Sequence, residues 1–102
     1  MTDSKNVLYV LRCAVMQDEV FKVGWTSGTA EERAKQISYA TGVPNSFIVV
    51  DQWMHTDPAA LEKNVHVQLD PYRISDSREF FKLDYPRLKS IIEGEITRTS
   101  KK

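Results

Sequence analysis

Asn6-Val-Leu-Tyr-Val-Leu-Arg-Cys13 and Glu19-Val-Phe-Lys-Val-Gly-Trp25 are two short β-forming runs with five residues between them, and that spacing decides the fold. Both runs are rich in branched and aromatic residues, which suit a pleated, half-buried surface. The connection Ala14 to Asp18 is short enough for a hairpin. Pairing Arg12 with Glu19 gives a cross-strand charge pair and sets Val10 by Phe21 and Leu8 by Val23. The same register puts Tyr9 opposite Lys22 on the other face, flanked by Leu11–Val20 and Val7–Gly24. Apolar residues occupy both faces, so both are expected to be covered.

Outward from the hairpin, Thr26-Ser27-Gly28 reads as a turn, and Thr29-Ala-Glu-Glu32 has the form of a capping box. The helix it opens is expected to reach Tyr39 or Ala40 and stop at Thr41-Gly42, with Pro44 just beyond. Ala30, Ala34 and Ile37 form its inward stripe, bordered by Arg33. Phe47 to Met54 reads as a third strand. Asp57-Pro58 supplies an N-cap and an N1 proline for a second helix to about Leu69, which buries Leu61, Val65 and Leu69 and sets Glu62 and His66 one turn apart. A polar loop, Asp70 to Arg78, precedes Glu79-Phe80-Phe81. A last helix is expected from Pro86, burying Leu88, Ile91 and Ile92 and ending at Gly94.

The chain has 102 residues and a mass of 11.7 kDa, which fits one domain, assigned to residues 1–93 with a basic, frayed tail over 94–102. No segment approaches the ~20 apolar residues of a membrane span, and Met1 to Asn6 is not signal-like. The single cysteine, Cys13, excludes an intrachain disulfide. Together these point to a cytoplasmic setting. Fourteen basic residues balance fourteen acidic ones, which argues against indiscriminate nucleic-acid coating. The last sixteen residues carry a net +3, read either as a solvated tail or as a phosphate-seeking arm.

Tyr9 and Lys22 on strands, Arg33 and His66 on helices and Glu79 after a loop stand out, and each has a plain explanation. Tyr9 reads as a core tyrosine, Lys22 as a snorkelling strand residue and Arg33 as half of a surface ion pair. Glu62–His66 reads as an ordinary helix pair, and Glu79 as a solvated acid. Their combination carries more. Leu8-Tyr9-Val10, Phe21-Lys22-Val23-Gly24-Trp25-Thr26, Glu32-Arg33, Ala40-Thr41-Gly42-Val43-Pro44, Ala60-Leu61-Glu62 with Val65-His66, Tyr72-Arg73 and Arg78-Glu79-Phe80-Phe81 resemble, in that order, the GIY-YIG nuclease superfamily. The likeness spans about residues 6 to 92. It is closest to the phage and bacterial branch whose second motif reads Lys-Ile/Val-Gly. The first motif here is Leu-Tyr-Val, and Lys22 stands where the name-giving tyrosine of the second motif would be.

The resemblance implies an α/β (α+β) domain with a three-stranded, mainly antiparallel sheet flanked by helices. It also implies metal-dependent hydrolysis of phosphodiester bonds in DNA, with Mg²⁺ (or Mn²⁺) as cofactor. It assigns Tyr9 as general base, Arg33 to the phosphate, Glu79 to the metal, Lys22 and His66 to the catalytic set, and Thr26, Arg73 and Arg78 to nucleic-acid contacts. The residue types suit that chemistry. Attack on a phosphodiester builds negative charge that an always-charged guanidinium fork stabilises. A hard cation takes one carboxylate plus water and substrate oxygens, and stabilises the leaving oxygen. A free tyrosine ionises near pH 10, so Tyr9 needs a neighbouring cation to act near neutrality, and Lys22 is the candidate. His66 would bond either the scissile phosphate or Tyr9. One site cuts one strand, so a double-strand break would require a homodimer or two visits.

The alternative is a GIY-YIG-fold module without cleavage activity that binds nucleic acid or a protein partner. Stacking of single strands on Trp25, Trp53 and Tyr72 is a third option; these aromatics are dispersed, and both tryptophans are expected to be buried.

Overall fold

The computed structural model describes residues 5–13, 19–40, 46–74 and 80–100. Strands β1 (Val7–Cys13), β2 (Val20–Thr26) and β3 (Phe47–Met54) form where the β-rich runs lie, and a fourth, β4 (Phe80–Lys82), completes an antiparallel sheet of order β3-β1-β2-β4. The expected three-stranded sheet thus gains an edge. Over its described residues β4 is too short to show an alternation of its own. Its two phenylalanines point to opposite faces, Phe80 into one apolar cluster and Phe81 into the other.

Helix α1 (Ala30–Ala40) covers one face of the sheet, while α2 (Pro58–Leu69) and α3 (Tyr85–Ser100) cover the other. Leu8, Val10, Phe21 and Val23 pack with Leu61, Val65, Leu69, Leu88 and Ile92. Val7, Tyr9 and Leu11 pack with Ala30, Ala34 and Phe47. The caps form as the residue types dictate. Thr29 Oγ1 accepts from Glu32 N at 3.1 Å, and Asp57 Oδ1 accepts from Ala60 N at 3.2 Å. The expected stop of α1 at Thr41-Gly42, with Pro44, lies outside the described residues.

The hairpin register differs from the expected one by two residues. Tyr9 pairs with Gly24, Leu11 with Lys22 and Arg12 with Phe21. A slip of two keeps every side chain on its face, so the apolar pattern could not detect it. The pairing is favoured sterically, because Tyr9 lies over the one β2 residue without a side chain. Glu19 leaves the strand geometry at φ 73°, and Arg12 stands opposite Phe21 on β2 and Ile48 on β3.

Two further expectations are corrected. α3 does not stop at Gly94 but runs to Ser100, so the segment expected to fray is helical to that point. Glu95 is buried, its carboxylate bonded to Gln68 and to Arg98, the latter at 2.6 Å. Trp25 is 38% exposed rather than buried. β3 carries a bulge: the register with β1 passes from Val10–Asp51 to Leu11–Val49, leaving Val50 as the extra residue. The Tyr85 hydroxyl donates to Asp51 and ties α3 to β3. Burial, together with that carboxylate, raises its ionisation above the ordinary tyrosine range.

Candidate functional site

Among the described residues β4 pairs with β2 over Val20–Lys22, and the residues that immediately precede Phe80 lie outside them. The candidate residues gather around the second half of β2, on two different faces of the sheet.

On the α1 face, Tyr9 lies directly against Gly24. A Cβ built on Gly24 would fall 2.5 Å from the Tyr9 hydroxyl oxygen and 2.8 Å from its Cζ. The glycine at position 24 is therefore what admits the Tyr9 ring, a coupling the sequence did not disclose. Tyr9 is 2% exposed. Lys22 stands two residues from Gly24 on the same face, diagonal to Tyr9 rather than opposite it. Its Nζ lies 5.4 Å from the centre of the Phe80 ring, and Phe80 is also its strand partner. On the other flank of Tyr9, its β3 partner is Gln52, whose Oε1 is buried with no hydrogen-bond partner among the described residues.

Arg33 projects from α1 one residue before the buried Ala34 and is exposed, its Nη1 donating to Gln36 Oε1 at 3.1 Å. Thr26 ends β2, and its Oγ1 accepts from Gly28 N at 3.1 Å, which fixes the turn into α1. Glu79 and Arg78 lie outside the described residues. The residue that follows Glu79, Phe80, is the one paired with Lys22.

On the opposite face, His66 projects from α2. Its Nε2 bonds the Val23 carbonyl at 2.9 Å and its ring centre lies 5.2 Å from that of Phe81. The carbonyl can only accept, so Nε2 carries the proton and Nδ1 holds the lone pair when the ring is neutral. His66 thus anchors the backbone of β2 at Val23 and does not share a face with Tyr9. Arg73 lies beyond it, its guanidinium 4.9 Å from the Phe81 ring centre and its Nε 3.2 Å from Asp70 Oδ1.

The structure therefore brings Tyr9, Lys22 and the start of β4 together, with Arg33 on the covering helix, and separates His66 and Arg73 from them by the thickness of the sheet. Among the described residues no three His, Cys, Asp or Glu side chains are grouped to hold a metal ion, and no helix is long and apolar enough to cross a membrane. No curated protein and no solved structure matches the chain. The T5orf172 domain matches it over residues 6–95, a span that runs from the first residue before β1 into α3 and takes in every candidate residue above. The chain belongs to the T5orf172 domain family.

Proposed function

We propose that the protein is a metal-dependent endonuclease of the GIY-YIG type that hydrolyses phosphodiester bonds in DNA beside the Tyr9–Gly24 contact of β1 and β2. The observation that carries this reading is the fit of Tyr9 onto Gly24 with Lys22 diagonal to it. It joins the two sequence motifs into one constellation of a phenol and a cation. The association of T5orf172 domains with nuclease-like phage and bacterial proteins supports the same reading.

In this reading Tyr9 takes the proton of the attacking water, and Lys22 favours the phenolate by its charge. Arg33 releases Gln36 and turns its fork to the phosphate, whose charge grows toward the transition state. Glu79 would hold Mg²⁺ or Mn²⁺, with water and substrate oxygens filling the remaining positions; the ion, when bound, stabilises charge on the leaving oxygen. A single carboxylate is a sufficient protein ligand for so hard a cation, and no larger donor group is needed from the described residues. His66 acts as a positioning residue, holding the Val23 carbonyl and with it the strand that carries Gly24.

A second reading, a DNA-binding module that does not cut, draws on the near-complete burial of Tyr9. Incubation with supercoiled, linear and single-stranded DNA, with Mg²⁺ and with EDTA, separates the two. Nicking that needs the metal supports the nuclease. Binding without cleavage in Mg²⁺ or Mn²⁺ supports the module.

A further inference from the structure

The face away from Tyr9 holds a cleft of about 650 Å³ between α2 and the end of β2, walled by Trp25, Glu62, Lys63, His66, Asp70 and Arg73 among others. Trp25 presents 38% of its surface to solvent there. An indole left in water is unfavourable, and a flat ring laid on it recovers that cost. Two polar groups of the wall are already held in place. His66 is fixed by the Val23 carbonyl, and Arg73 by Asp70 and the Phe81 ring. The formal charges of Lys63 and Arg73 balance those of Glu62 and Asp70. Such a balance does not favour a run of phosphates, but it suits an uncharged aromatic ring with donors and acceptors on its rim.

We infer that this cleft is a nucleobase subsite, taking one unpaired base of a DNA strand stacked on Trp25, with Lys63 at the following phosphate. The inference rests on the nucleic-acid reading above and deepens it. Trp25 adjoins Gly24, on which Tyr9 lies, so a base stacked in the cleft stands one residue along β2 from the glycine that carries the tyrosine. The favoured substrate is then DNA with an unpaired base beside the cut, either single-stranded or locally opened, because opening a paired duplex costs free energy that an already unpaired base does not.

The test is carried out in EDTA, where no metal-dependent cleavage intervenes. Trp53→Phe leaves Trp25 as the only tryptophan, and its fluorescence is titrated with a single-stranded oligonucleotide and with the same sequence as blunt duplex. Saturable quenching by the single strand, and weaker binding of the duplex, are expected. Trp25→Ala in the wild-type background should weaken single-strand binding by roughly 5- to 150-fold, Trp25→Phe by much less, with melting temperatures close to that of the parent. Absence of quenching, equal affinity for duplex, or unchanged affinity in Trp25→Ala overturns the subsite. Plasmid nicking in Mg²⁺ is scored separately. Nicking with Trp25-independent binding removes only the subsite, whereas Trp25-dependent binding without nicking removes only the nuclease reading.

Discussion

Gly24→Ala adds one methyl group where Tyr9 rests on β2. The new carbon would lie 2.5 Å from the tyrosine oxygen, 2.8 Å from Cζ and 3.0 Å from Cε1, whereas such contacts relax at about 3.5–4.0 Å. The ring must therefore withdraw by about 1 Å, and it is 2% exposed, packed in a cluster with Ala30, Ala34 and Phe47. Over-packing of this kind costs about 1–3 kcal/mol. Against it stands a gain of roughly 0.5–1 kcal/mol, because alanine loses less backbone freedom than glycine in a strand. The net expectation is a loss of up to about 2.5 kcal/mol, equivalent to a melting temperature up to roughly 20 °C lower in a domain of this size. The sign is the test, since without the contact the same substitution would raise the melting temperature. Tyr9→Phe removes the closest atom, so Gly24→Ala should be milder in that background, by more than about 0.5 kcal/mol in a double-mutant cycle. Urea and thermal unfolding of the four proteins measure this. A melting temperature that rises in Gly24→Ala, or effects that simply add, would refute the steric coupling between the two motifs.

Glu79→Gln should abolish metal-dependent cleavage and leave the melting temperature and DNA binding nearly intact; full cleavage by the purified variant would remove Glu79 from the mechanism. Arg33→Ala should lower turnover by about 10²–10³-fold with a smaller effect on ground-state binding, and equal losses in both would make Arg33 a phosphate anchor only. Lys22→Met keeps the aliphatic stem over Phe80 but removes the cation, so the acid limb of the pH–rate profile should move to higher pH, with activity partly recovered under alkaline conditions. Tyr9→Phe should recover at no pH, and an unshifted limb in Lys22→Met would leave that lysine without a tuning role.

The strands, the two cap motifs and the buried stripe of α2 were legible because each is written in consecutive residues. The hairpin register was not. The Arg12–Glu19 charge pair favoured one alignment, and sliding by two preserved every face, so the decision rested on a clash between Tyr9 and any side chain at position 24, which only the paired strands reveal. Gly94 misled for a similar reason. A glycine costs a helix about 1 kcal/mol, a penalty readily offset when Ile92, Glu95 and Ile96 on either side are packed against the rest of the fold. Of the candidate site, the residue types were readable, but their distribution over two faces was not. His66 reaches a carbonyl 43 residues away, and Trp25 stays 38% exposed in the cleft beside α2.

β3 forms an outer border of the sheet, with eight residues that include neither lysine nor proline, and with Ile48, Val50 and Met54 turned partly to solvent. A straight strand of that composition would be a template for uncontrolled stacking of chains into fibrils. The bulge at Val50 interrupts its row of outward amide and carbonyl groups, and the carboxylate of Asp51 stands beside the interruption. Deletion of Val50 would straighten this border, and such a variant is expected to associate more readily than the parent even with its core and candidate site untouched.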